Sequence, residues 1–375
     1  MRTPLPLKAL LSAAVICLLS FCLTSFVGCS SPSDEQDGNR RVAGRESDRG
    51  GKALPAGPSG AEGQGQVHIV YRLKWLYNAS TLGELWAERK GLFKASGLRV
   101  EIREGGAEHD AIKEIELGRA MFGVASADQV IRAVEKGADV VVLAQIFQKN
   151  PLQWIYIEER TDFDPEDPVP ALERYTFGIT YGGNDEAIFT ALSRRLGLDP
   201  EGLKTYAITY DYSPFWQGRV DFWPVYRNTQ GIVLERRITR QGQHAGFLDP
   251  TRYGIDFVAN SLVTSSKVVA RYPGLVARFT AVLMSAWKEA LLPENRREAQ
   301  AILMEVEPGL DESSALAQIE ETARMVWPDM PEGAPGVIDR AAWRQSLDIM
   351  VSQHLIGKRI ALDRLFWQQP VPAGS

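Results

Sequence analysis

Cysteine is almost missing from this chain. Only Cys17, Cys22 and Cys29 occur among its 375 residues. Everything after residue 29 is therefore without a disulfide, a thiolate metal site or a cysteine nucleophile. Histidine is nearly as scarce. His68, His109, His244 and His354 show no paired metal-ligand spacing, so neither a metal site nor a cofactor is expected. Positive charge is not in excess: 42 Lys and Arg stand against 47 Asp and Glu, a net charge of −5. That balance argues against a nucleic-acid partner. Long apolar runs are also lacking, with one exception at residues 9–27; no later segment has the length and apolarity to span a membrane.

That exception is informative. Arg2 and Lys8 precede the run, which ends Phe26-Val27-Gly28-Cys29 and gives way to Ser30-Ser31-Pro32-Ser33. A charged start, an apolar middle and small residues at the cut describe a secretory signal. A cysteine directly after the small residue resembles the cleavage site of bacterial lipoproteins. It implies a signal peptide over 1–28 and lipid, such as palmitate, on Cys29. An uncleaved transmembrane anchor is the alternative. In either case the body is exported and held at a membrane surface. Residues 29–66 are rich in Gly, Ser, Pro and mixed charge and read as a flexible tether.

From residue 67 strand and helix signals alternate. Residues 67–75 alternate as a strand, and Thr81 and Glu84 form a capping-box pattern opening a helix that Gly91 stops. Strands follow at 98–103 and 121–125, with helices at 109–117 and from Ser126 to about Gly137. The apolar run at 140–147 reads as a central parallel strand. This β-α order implies a parallel α/β sheet. A second α/β unit has strands at 176–180, 204–208 and 219–226. Gly182-Gly183 make a turn there, Asn184 reads as a helix N-cap, and a helix follows near 231–237. Beyond 257 the chain is helical. A stripe of Leu275, Val276, Phe279, Val282, Leu283, Ala286 and Trp287 opens that tail, and helices near 295–306, 311–326 and 340–353 follow.

The stretch Glu88-Arg89-Lys90-Gly91-Leu92-Phe93-Lys94-Ala95-Ser96-Gly97-Leu98-Arg99-Val100-Glu101 carries a resemblance. So do Phe122-Gly123-Val124-Ala125-Ser126-Ala127-Asp128, Val220-Asp221-Phe222-Trp223-Pro224-Val225-Tyr226 and Asn260-Ser261-Leu262-Val263-Thr264. Together they resemble the periplasmic solute-binding proteins of ABC importers for thiamine pyrimidine precursors, riboflavin, alkanesulfonates and nitrate. The likeness runs in order over about 67–366. It implies a two-lobed α/β fold of periplasmic-binding-protein type II, with hinge strands and a helical C-terminal tail. Lobe 1 would take residues 67–154 and 259–375, and lobe 2 residues 155–258. The chain would cross near 154–156 and 258–260. It also implies a non-enzymatic monomer that binds a small, planar heteroaromatic nutrient and delivers it to an ABC permease and its ATPase. Two other classes stay open. Pyrimidine-synthase-like enzymes share the fold but use a cysteine cluster and a lysine holding pyridoxal phosphate, and a sensing lipoprotein would lack the transport role.

Ligands of open parallel sheets sit at the carboxyl ends of strands, near helix N-termini. Four loops meet that rule. In the first, Trp75 or Tyr77 could stack on a planar ligand while Asn78 reads its edge. Ser126 marks the second. The third holds Tyr181, Gly182, Gly183 and Asn184, where glycines permit close backbone approach. The fourth holds Trp223, Tyr226 and Asn228, followed by Thr229-Gln230. Relatives that bind pyrimidines carry Asn-Glu at that last pair; Gln230 is neutral and reads other hydrogen-bond patterns.

Overall fold

A computed structural model describes residues 67–106 and 108–367. The proposed signal peptide, Cys29 and the tether lie outside the described residues. Strands β1 (Val67–Arg72), β2 (Leu98–Arg103), β3 (Phe122–Ala125) and β4 (Val141–Gln145) come first. They are followed by β5 (Leu152–Ile157), β6 (Phe177–Ile179), β7 (Thr205–Ala207), β8 (Trp223–Tyr226), β9 (Ala245–Leu248) and β10 (Ser261–Thr264).

The first sheet has the order β2-β1-β3-β10-β4. β1 runs parallel to both β2 and β3, pairing Val67 with Leu98 and Tyr71 with Phe122. The expected parallel unit is present, with one difference. The returning β10 enters antiparallel and sets Ser261 opposite both Ala125 and Gln145. That insertion pushes β4 to the rim, where the sequence placed a central parallel strand. Its apolar character comes from burial on both faces, with Val142 in one core and Leu143 and Ala144 against the other, and the C-terminal segment covers its edge. Phe366 bridges Val142, Gly336 bridges Gln145, and Trp367 N–H donates to the Val142 carbonyl at 3.1 Å. An edge covered in this way no longer presents a free ladder.

The second sheet repeats the plan. β5 lies antiparallel between β8 and β9, while β6 pairs parallel with β7. The two pieces join where Phe177 bridges Phe222 and Gly178 N–H donates to the Phe222 carbonyl at 2.8 Å. Each lobe thus inserts one antiparallel strand, brought by the chain as it arrives from the other lobe, between its third and last forward strands. Trp154, Ile155 and Tyr156 sit inside β5, so the first change of sheet occurs in residues 146–151, earlier than the sequence reading put it. The second lies within 249–260.

The long helix Pro273–Leu291 buries Leu275, Val276, Phe279, Leu283, Ala286 and Trp287 along one face, and Val282 packs at its edge. Phe279 stacks on Phe122 with centroids 4.2 Å apart and meets Phe93 at 5.6 Å. Trp287 presses on the helix Leu82–Arg89 at Gly83, where any Cβ would overlap the indole ring. That closeness is why glycine sits in the first turn of this helix despite its entropic cost. The remaining tail helices, Arg296–Val306, Glu312–Val326 and Arg340–Ser352, start close to the expected positions. Asp311 and Asp339 cap the last two. No helix of the described residues is long and apolar enough to cross a membrane.

Candidate functional site

A cavity of about 690 Å³ opens between the lobes at the carboxyl ends of the strands, within the size range of small-molecule sites. Both lobes line it. Lys74 to Asn78 come from the loop after β1, Thr180 to Gly183 from the loop after β6, Asn184 and Asp185 from the helix that follows it, and Trp223 to Tyr226 from β8. Contacts bridge the cleft directly. Lys74 Nζ donates to the Tyr226 hydroxyl at 2.8 Å, and the Trp75 ring meets Tyr210 at a centroid distance of 5.1 Å.

Most of the sequence-derived residues meet here, but several differ from the role expected of them. Trp75, Tyr77, Asn78, Tyr181, Gly182, Gly183, Asn184, Trp223 and Tyr226 all line the cavity. Asn78 caps a single 3-10 turn, its Oδ1 accepting from Ser80 N–H at 2.8 Å while Thr81 Oγ1 accepts from Asn78 N–H at 3.2 Å. The capping box therefore lies three residues before the expected Thr81–Glu84 pair. Glu84 instead turns inward and accepts the Tyr71 hydroxyl at 2.8 Å. Trp223 is 2% exposed and packs against Tyr212 and Phe215, so it is core as well as wall. Tyr181 and Tyr210 are 57% and 53% exposed, the reverse case.

The glycine turn also departs from expectation. Gly182 takes a left-handed φ of 82°, which favours glycine. Yet its N–H donates to Glu186 Oε2 at 2.8 Å, and Gly183 N–H donates to the Thr180 carbonyl at 2.8 Å. Both amides that could cradle a ligand are already satisfied. Gly183, rather than Asn184, occupies the N-cap, and Asn184 is the first residue of the helix Asn184–Arg195. Buried Asp185 accepts from Thr180 N–H at 2.6 Å, and its burial pushes its pKa up to about 6.

Two sequence-derived residues do not line the cavity. Ser126 is 1% exposed, with Oγ bonded to Asp128 Oδ1 at 2.6 Å. Its capping-box partner Gln129 faces the cavity in its place. Asn228 is fully buried, and its Nδ2 donates to Ser80 Oγ at 3.0 Å and Thr322 Oγ1 at 2.9 Å. It fastens the second lobe to the first and to the tail.

Reasoning from sequence missed Lys74, Glu84, Tyr210, Tyr212 and Glu307. Lys74 lies beside Trp75 and meets the same strand-end rule, so its signal was present. Glu307 had none: it ends the tail helix Arg296–Val306, more than two hundred residues from the first loop. Burial raises its pKa to about 7, and the same cause raises Glu84 to about 7. Tyr212 is pushed up to about 12 by burial, then by Glu307, and Tyr77 to about 12 by burial, then by Glu88, Glu104 and Glu84. Three buried polar atoms of lining residues have no partner among the described residues: Glu84 Oε2, Asn184 Nδ2 and Glu307 Oε1. Such atoms are costly unless something fills the cavity.

The family model described as NMT1/THI5 like matches residues 78–295. Curated proteins give no match. Among solved structures, the alkanesulfonate-binding protein SsuA from Xanthomonas axonopodis pv. citri, bound to MOPS, is 13% identical with a TM-score of 0.62. It covers 80% of this chain and 98% of its own. The periplasmic nitrate-binding protein NrtA from Synechocystis PCC 6803 is 13% identical, with a TM-score of 0.58 and coverage of 78% and 83%. The desulfurization enzyme DSZB is 12% identical, with a TM-score of 0.51 and coverage of 80% and 96%. At these identities the likeness is one of fold. It is the two-lobed fold of periplasmic binding proteins, and it has been used for both binding and catalysis.

Proposed function

The chain belongs to the NMT1/THI5-like family, and from that premise we propose that it is an extracytoplasmic solute-binding lipoprotein serving an ABC importer. It takes a small planar heteroaromatic nutrient, of the kind of a thiamine pyrimidine precursor, into the cleft and hands it to a permease. Cys29 carries the lipid that holds it at the membrane, residues 29–66 act as the tether, and the protein works as a monomer. One observation carries this reading: a single cavity of about 690 Å³ is lined from both lobes by aromatic rings and by polar atoms lacking partners. Tyr77, Tyr181 and Tyr226 offer faces for a flat ring, and Asn184 and Gln230 offer amides for its edge. Gln230 sits where pyrimidine-binding relatives carry an acid, but its Oε1 accepts from Thr229 Oγ1 at 2.6 Å and Tyr226 N–H at 3.3 Å. No residue is assigned a catalytic role and no cofactor is invoked.

The experiment is mass spectrometry of small molecules released by denaturing protein purified from its own host. A stoichiometric aromatic nitrogen heterocycle is expected. A purified protein that releases no small molecule, and that no heterocycle stabilises against heat, sinks the reading.

A further inference from the structure

Anion sites in this kind of fold are made from helix starts and free backbone amides. In this cavity three such amides are already taken by the chain's own carboxylates. Asp185 and Glu186 hold the amides of Thr180 and Gly182 ahead of the helix Asn184–Arg195. Asp110 caps the helix Ala111–Glu116 through Lys113 N–H at 2.8 Å. Among the lining residues Lys74 is the only lysine or arginine, against five carboxylates, Glu84, Glu104, Asp110, Asp185 and Glu307. Lys74 is itself engaged with Tyr226. Arg72, at the end of β1, is spent on Glu114 at 2.8 Å.

Acceptors are what remain. Glu104 Oε1 accepts from Tyr77 N–H at 2.8 Å. Glu307 Oε1 is buried without a donor, and Glu84 Oε2 has only the indole N–H of Trp287 beside it, too poorly placed for a full hydrogen bond. Glu84 is 1% exposed. Burial raises their proton affinities, and a cation placed beside them would favour the charged form. Resting on the solute-binding reading above, we propose that Glu84 and Glu307 select a solute with a cationic nitrogen group, such as an amidinium or protonated amine. By the same arrangement, sulfonates and other anions are turned away. Glu307 thereby gives the C-terminal tail a part in specificity, and Asn184 Nδ2 supplies a donor for an acceptor elsewhere on the solute.

Three probes with one phenyl ring separate the possibilities: benzamidinium, neutral benzamide and benzenesulfonate. Affinities are measured by calorimetry, on the full chain without its signal peptide, for the parent, Glu307→Gln and Glu84→Gln. Benzamidinium should bind at least tenfold more tightly than benzenesulfonate. Glu307→Gln should remove most of that preference, lowering benzamidinium affinity about tenfold while leaving benzamide unchanged. Circular dichroism confirms that each variant is folded, and Glu84→Gln keeps an acceptor for Tyr71 should Glu307→Gln fold poorly. If benzenesulfonate binds as tightly as benzamidinium, or if neither substitution alters benzamidinium binding, the charge assignment is overturned and the solute-binding reading stands. Binding of none of the three probes would also overturn the charge assignment, while the solute-binding reading is decided separately by the small molecule released from the protein.

Discussion

Two carboxyl groups in the cleft keep protons that ordinary glutamates lose. Burial raises both Glu84 and Glu307 from 4.5 to about 7. The folded protein therefore binds protons that the unfolded chain releases between those values. By linkage, the contribution of these groups to stability is fullest below pH 4.5 and falls as pH rises through about 7. Replacing one by its amide removes that penalty. Glu84→Gln, which can still accept from Tyr71, is expected to melt higher than the parent at pH 8 and nearly level with it at pH 4.5. The difference is on the order of 1–3 kcal/mol at the upper pH. Melting followed by circular dichroism across that range checks it, and a variant equally destabilised at every pH would show that packing rather than charge decides. The aromatic residues divide at this scale too. Trp223 is core and wall at once, so removing it costs folding stability, whereas Tyr181 stands in solvent at the mouth.

Elements explain why the cleft keeps its shape. The helix Gln230–Arg240 of the second lobe lies against Glu312–Val326 of the tail, where Arg236 meets Asp311, Ser313 and Ser314. These contacts are largely exposed, and pairs of that kind contribute little. Asn228 is different, because it joins Ser80 and Thr322 where all three are buried. Asn228→Ala should cost roughly 2 kcal/mol, by removing two hydrogen bonds and stranding two hydroxyls. The expected result is a melting temperature lower by several degrees with benzamidinium affinity changed less than threefold. Normal melting with a large loss of affinity would return Asn228 to the ligand site where the sequence reading had put it.

At the scale of the whole molecule, the proposed anchor and tether would set where the cleft works. We propose a lipid anchor at Cys29 because the thiol directly follows Val27-Gly28 after an apolar run. A single acyl chain holds a protein only marginally, so more than one is expected. Cys29→Ser should move the protein from washed membranes to the soluble fraction without altering solute binding. Persistence on the membrane after the substitution would point to the uncleaved apolar run as the anchor.

Some of this protein was legible residue by residue. Alternation, caps and glycine stops marked most strands and helices, because backbone geometry imposes those periods locally. The strand-end rule found Trp75, Tyr77 and Tyr181, since sheet topology puts those loops at one end whatever the side chains are; Trp223 reaches the cavity from within strand β8 instead. Tertiary structure decided what depends on neighbours distant in the chain. β10 entered the first sheet antiparallel and moved β4 to the rim, an arrangement no local pattern encodes. Asn228 became a fastener, because Ser80 and Thr322 come to it from far along the chain. The glycine amides met Glu186 and Thr180 before any ligand could. The composition gave a mildly acidic chain, but only the packing of the tail brought Glu307 to the cleft. Charge, unlike periodicity, acquires its meaning from what is buried beside it.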